Sequence, residues 1–162
     1  MSAGAGPNGF VVAPPGDPRT LPLLAGLRRE YVTRYGTQIG EQEMAGHPVE
    51  DFSPPDGGIV LLLEAGTAVA GGAFRRYDDV TAELKRLWTA PAHRRRGLSR
   101  RVLAELERQV AAAGYRRIHL TTGNRQPEAR ALYLGSGYTP LTGRARVLTD
   151  EVHELGFEKH LR

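Results

Sequence analysis

Cysteine is absent from this chain of 162 residues. That excludes disulfides, thiolate metal ligands and a cysteine nucleophile. It fits a reducing compartment, and the cytoplasm is the expected location. Long apolar runs are missing too. None approaches the roughly 20 residues that a membrane-spanning helix needs, so no membrane partner is expected. Lysine is nearly absent: Lys85 and Lys159 are the only two, and arginine carries almost all of the net charge of +4. Aromatic residues make up 7% of the chain and do not interleave with the arginines, as base stacking would require. A basic chain of this size could bind nucleic acid, but a basic pocket for an anionic ligand explains the composition better. The histidines, His47, His93, His119, His153 and His160, show no metal-ligand spacing, so no metal is expected. The first residues, MSAGAGPNGF, have neither a basic segment nor an apolar core and do not read as a secretory signal. Residues 1–8 are expected to form a disordered tail, and residues 9–162 a single domain.

What is present centres on residues 82–113, AELKRLWTAPAHRRRGLSRRVLAELERQVAAA. Leu84, Leu87 and Trp88 give a strand over 82–89, which Ala90-Pro91 ends because proline cannot donate to a ladder. Apolar side chains then fall at Leu98, Val102, Leu103, Leu106 and Val110, which is helical spacing, and Gly114 stops the helix. Between strand and helix lies Arg94-Arg95-Arg96-Gly97-Leu98-Ser99. The first turn of a helix leaves N–H groups unpartnered and carries the positive end of the dipole. A glycine there admits an anion to the backbone, and Arg94, Arg95, Arg96, Arg100 and Arg101 surround it with full positive charges. A ligand with several phosphates suits this turn. The alternative is a solvated run of charge.

The rest of the chain supplies a frame. Residues 10–13 read as a first strand. Asp17-Pro18 opens a helix that carries Leu21, Leu24, Leu27, Tyr31 and Tyr35 and stops at Gly36. Residues 37–57 are polar and punctuated, with a short helix expected over 42–45. Strands are expected at 59–64, 67–77 and 82–89, joined by tight turns into an antiparallel meander. A strand at 117–122 follows the long helix, and a crossover of that kind implies one parallel pair. Pro127 opens another helix, with Ala129, Leu132 and Tyr133 on one face, before short strands at 138–141 and 155–161.

These features together resemble the GNAT N-acetyltransferase superfamily. Its cofactor motif is Gln or Arg, two residues, Gly, one residue, then Gly or Ala. Arg94-Arg95-Arg96-Gly97-Leu98-Ser99 follows it, with Ser99 in place of the usual last residue. Asn124, Pro127-Glu128-Ala129, Leu132-Tyr133 and Gly137-Tyr138 match a second family block. The resemblance implies a mixed α+β fold, with a mostly antiparallel sheet of six or seven strands. About four helices would flank it, with one parallel strand pair at the cofactor cleft.

It also implies acetyl transfer from acetyl-CoA to an amine, with no metal. The N–H groups of Leu87, Trp88 and Thr89 would stabilise the thioester oxygen, if a bulge splays that strand. Glu83 is the candidate base, or else a carboxylate paired with Lys85 or Arg86. Tyr133 is the candidate acid for the departing thiolate, or else a core tyrosine. Asn124 would bond the pantetheine arm or order its turn, and Ala129 would line the cofactor site beside Arg94, Arg95, Arg96, Gly97, Leu98, Ser99 and Arg100. No serine sits in a nucleophile elbow, so direct attack without an acyl-enzyme is the economical route. The acceptor is expected between Tyr31, Tyr35, Met44 and His47 on one side and residues 142–153 on the other. Arg144 and Arg146 suggest an acceptor carrying a carboxylate. A small-molecule amine is the leading expectation. A protein lysine or N-terminal acetyltransferase and a non-catalytic acyl-CoA-binding module are the alternatives. A homodimer through edge strands is compatible with the pattern.

Overall fold

The computed structural model describes residues 6–142, 147, 149 and 151–162. Seven strands form one sheet: β1 (Gly9–Ala13), β2 (Gly58–Glu64), β3 (Thr67–Arg76), β4 (Thr81–Thr89), β5 (Arg117–Gly123), β6 (Thr139–Leu141) and β7 (Glu154–His160). The helices are α1 (Leu21–Tyr35), α2 (Thr37–Ala45), α3 (Leu98–Ala112) and α4 (Pro127–Gly135). The spatial order is β1-β2-β3-β4-β5-β7-β6. All pairs are antiparallel except β4 with β5, so the expected mixed sheet with one parallel pair is the observed one.

The sheet has an apolar layer on each face. On one, α3 buries Leu98, Val102, Leu103, Leu106 and Val110 against β-strand residues such as Val60, Phe74, Leu84 and Ile118, and Tyr133 of α4 joins them. Each such aliphatic side chain contributes at most about 1.5–3 kcal/mol on burial. On the other face, Leu23 and Leu27 of α1 pack with Phe52, Leu61, Leu63 and Trp88. Trp88 packs so closely on α1 that a Cβ at Gly26 would come within 2.2 Å of its Nε1.

Three features differ from the sequence expectation. Pro7 and Asn8 are not free: Gly66 N–H donates to the Pro7 carbonyl at 2.9 Å and Ala65 N–H to Asn8 Oδ1 at 2.7 Å. The first helix is preceded by a 3₁₀ turn over Pro18–Thr20, whose start Asp17 caps by accepting from Arg19 N–H at 2.9 Å. The second helix is longer than expected, beginning directly after Gly36. Its polar sequence has too little periodicity to mark its length. Arg144 and Arg146 lie outside the described residues. Among the described residues, no helix is long and apolar enough to cross a membrane.

Candidate active site

The site begins where two neighbouring strands part. β4 and β5 pair only at Thr81↔Arg117, Ala82↔Ile118 and Glu83↔His119. Beyond that point β5 stays with β7 and β4 stays with β3. The edge of β4 from Leu84 to Thr89 therefore has no strand on its β5 side. A bulge accompanies the parting. The β3–β4 register runs from Ala73↔Lys85 to Gly71↔Trp88, so β4 spends one residue more than β3. Arg86 lies there at φ 60°, and an extra residue of this kind bends and twists its strand. A cavity of about 590 Å³ occupies the gap, with Leu87, Trp88 and Thr89 in its wall.

At one end of the cavity stands the start of α3. Gly97 is left-handed at φ 73°, and nothing lies within 4 Å of where its Cβ would be. Arg95 is left-handed too, at φ 65°. The chain turns twice in three residues, so the arginine run splits. Arg94, Arg95 and Arg100 line the cavity together with Gly97, Leu98 and Ser99. Arg96 does not. It turns away to the β2–β3 hairpin, bonding Glu64 at 2.5 Å and His93 Nδ1 at 2.7 Å. Arg94 is steadied by Glu30 at 3.1 Å. The hydroxyls of Thr89 and Ser99 are 2.8 Å apart, which fastens the end of β4 to the first turn of α3 and gives Ser99 a structural use.

Tyr133 lines the cavity from α4 and is buried, with its ring between Tyr138 and Phe157 at centroid distances of 5.7 and 5.6 Å. Burial, with a smaller contribution from Tyr31, pushes its phenol well above the ordinary tyrosine range, so it is protonated at neutral pH. Ala129 lines the same wall. Glu83 is buried but is not part of the cavity lining. It accepts from Arg75 at 2.9 Å and lies 3.9 Å from His119 Nε2. It belongs to the closed part of the β4–β5 pair, whereas the cavity starts one residue later. Asn124 is likewise outside the lining. Its side chain donates to the Glu151 carbonyl at 3.0 Å and accepts from His153 N–H at 3.0 Å, so it orders the turn before β7.

The opposite end is made by α1, α2 and the loop after them, with Tyr31, Tyr35, Ile39, Glu43 and His47 in the lining. Tyr35 reaches across to Gln126 Oε1 at 3.2 Å. Arg34 bonds the Arg125 carbonyl and Arg125 returns to the Arg34 carbonyl at 3.1 Å, closing α1 onto the start of α4. Burial pulls the His47 imidazole below its ordinary value, helped by Lys85 and Arg75. Lys85 and Arg86 also line this end. Neither stood out in the sequence, because a strand that alternates polar and apolar residues gives no sign of which polar ones will face a cavity. Among the described residues, no group of histidine, aspartate and glutamate could hold a metal ion.

Comparisons with known proteins identify the family and the fold. Residues 24–138 match the acetyltransferase (GNAT) family. The uncharacterized N-acetyltransferase YsnE of Bacillus subtilis is 33% identical over 108 residues, 57% of this chain and 72% of that protein. A Klebsiella pneumoniae structure assigned to the acyl-CoA N-acyltransferases superposes with TM-score 0.74 at 25% identity, over 96% of this chain and 98% of the other. A GNAT acetyltransferase from Elizabethkingia anophelis with acetyl-CoA bound shares the fold at TM-score 0.66 and 14% identity, over 94% and 97%. The chain belongs to the acetyltransferase (GNAT) family.

Proposed function

We propose that this protein transfers the acetyl group of acetyl-CoA to a primary amine of a small molecule, by direct attack in a ternary complex. The observation that carries this reading is the parting of β4 from β5 beside the Gly97 turn. A free strand edge and a helix start ringed by Arg94, Arg95 and Arg100 share one cavity. These residues fit the cofactor. The left-handed Gly97 leaves open space above its backbone, which lets a diphosphate reach the amide hydrogens of the α3 start. Bound acetyl-CoA would supply an activated thioester carbonyl.

The chain's own residues answer the remaining demands. The N–H groups of Leu87 and Thr89, which alternate with the Trp88 N–H that the Gly71 pair on β3 takes up, are the donors proposed for the oxygen as charge develops on it, preorganised by the bulge. Tyr133 is the proposed acid. The burial that raises its phenol would penalise a thiolate in the same place, so the proton passes to sulfur as the bond to carbon breaks. Glu83 is proposed to receive the amine's proton through water, because its carboxylate is held by Arg75 and lies outside the cavity lining. α1, α2 and the Tyr35–Gln126 contact wall the cavity, which supports a small acceptor over a protein segment lying in a long groove.

Release of coenzyme A thiol, measured across a panel of primary amines, tests the proposal. Acetylation of small amines that Tyr133→Phe suppresses supports it. Tight binding of coenzyme A with no thiol release on any amine would instead indicate a silent acyl-CoA-binding module.

A further inference from the structure

The end of the cavity proposed for the acceptor holds a cation, Arg86, that has no ion pair among the described residues. Arg86 is the bulge residue of β4, and its guanidinium reaches toward the loop after α2. Its partners there are all uncharged. One terminal nitrogen donates to the Met44 carbonyl at 3.2 Å and the His47 carbonyl at 3.4 Å, and the other lies 3.7 Å from Met44 Sδ. The Phe52 ring sits 5.4 Å from its central carbon. No described carboxylate lies within ion-pair distance of it. Burial is the largest effect on its ionisation, and the charges of the Tyr31 phenol and of Glu43, which lines the same cavity, act in the opposite direction. Lys85, the next residue on the same strand, also lines the cavity. The arginines of the phosphate turn, by contrast, surround the opposite end, at the start of α3.

Half-buried charges in proteins are ordinarily paired, because removing a cation from water without an anion is costly. A guanidinium held by two carbonyls keeps N–H groups to spare, and its planar fork matches a carboxylate. We propose that Arg86, assisted by Lys85, forms an anion subsite for the acceptor, so that the acceptor is a primary amine that also carries a carboxylate. This rests on the acetyltransfer reading above and names its substrate class. The carboxylate docks at Arg86 while the amine faces the free edge of β4. In the transfer, the amine nitrogen forms the bond to the acetyl carbon and loses one proton. The carbon–sulfur bond breaks, and sulfur leaves with its electron pair and gains a proton.

The test compares matched acceptors: an amino acid, its carboxamide and its decarboxylated amine, with a dipeptide as a further arm. Coenzyme A binding is measured separately by calorimetry. We expect kcat/KM for the carboxylated amine to exceed that for the carboxamide by about ten-fold or more, the scale of a charge-assisted bond. Preference for the free amino acid over the dipeptide identifies a single amino acid, and the reverse identifies a peptide C-terminus. Arg86→Gly retains the left-handed backbone that glycine adopts readily and removes the guanidinium. It should raise KM for the carboxylated amine and erase the preference, while coenzyme A affinity changes little. Arg86→Lys should recover part of the preference. Equal rates on the carboxamide and the carboxylate, with coenzyme A bound and amines acetylated, overturn this inference alone. Absence of coenzyme A binding overturns the function on which it rests.

Discussion

The two ends of the cavity are built from different forces. The end proposed for coenzyme A rests on α3, whose five buried apolar residues lock it to the sheet, and on a turn whose backbone is fixed by Arg95 and Gly97. The end proposed for the acceptor rests on α1 and α2. α2 buries little beyond Gly40, which lies close against Val32 of α1, and polar ties supplement that contact: Arg28 to Glu41 at 2.7 Å and Arg86 to the Met44 and His47 carbonyls. Apolar packing gives a rigid wall, because interiors are close-packed and tolerate little displacement. Polar ties at half-exposed positions are individually weak. The difference suits an enzyme with one invariable co-substrate and a variable second substrate.

The sharpest way to probe the rigid end is chemical. Tyr133→Phe removes one hydroxyl from a ring that keeps its contacts with Tyr138 and Phe157. We expect kcat to fall by about 10²–10⁴-fold, the usual scale for a positioned acid, with coenzyme A affinity unchanged. Steady-state thiol release with calorimetry in parallel checks both halves, and a wild-type rate would remove Tyr133 from the chemistry.

Next comes the packing itself. Leu106 is fully buried under α3, and Leu106→Ala should cost about 2–5 kcal/mol through lost contacts and a residual cavity. Urea unfolding measures it. Arg28→Ala, which breaks the exposed tie to Glu41, should leave the urea midpoint unresolved from wild type. Equal losses in the two variants would break the distinction between the ends.

A backbone probe gives a smaller effect. Gly97→Val places a β-branched residue at φ 73°, at a strain of about 1–3 kcal/mol. The turn should relax away from that geometry, weakening coenzyme A binding by about 10–100-fold with carboxylate-acceptor KM little affected.

The same contrast explains what could be read from the chain alone. α3 was legible because its periodicity and its packing are the same fact, and the Gly97 turn because a glycine between a strand and a periodic run marks where the helix starts. The parallel pair followed from crossover length. The insertion of β7 between β5 and β6 did not, since long-range strand order has no local signature. Three arginines in a row cannot all face one ligand, and the left-handed Arg95 sends Arg96 to Glu64. The resemblance names Glu83 as the candidate base, but a match of position carries no sign of where β4 leaves β5, and the pairing still holds at that residue. Arg86 was invisible for a related reason: arginine carries no turn signal, so neither its left-handed backbone nor its direction could be anticipated.

The gentlest probe is pH. His47 at the acceptor end and His119 beside Glu83 are both half-buried, and burial lowers both imidazoles below the ordinary value of about 6.5. A base with a depressed folded pKa is protonated more easily in the unfolded chain. Its contribution is intact above about 6.5 and is lost as pH falls through the folded value. The carboxylates lowered by ion pairs, such as Glu105 and Glu128, lose theirs only in a more acidic window, below about 4. Between pH 7.5 and 5.5 the acceptor wall should therefore loosen before the coenzyme wall does. Amide hydrogen exchange, corrected for its intrinsic pH dependence, should show protection falling in α2 while α3 stays constant, and His47→Gln should abolish the α2 change. Equal loss in both helices would mean that the histidines report on global stability and that the two ends are one cooperative unit.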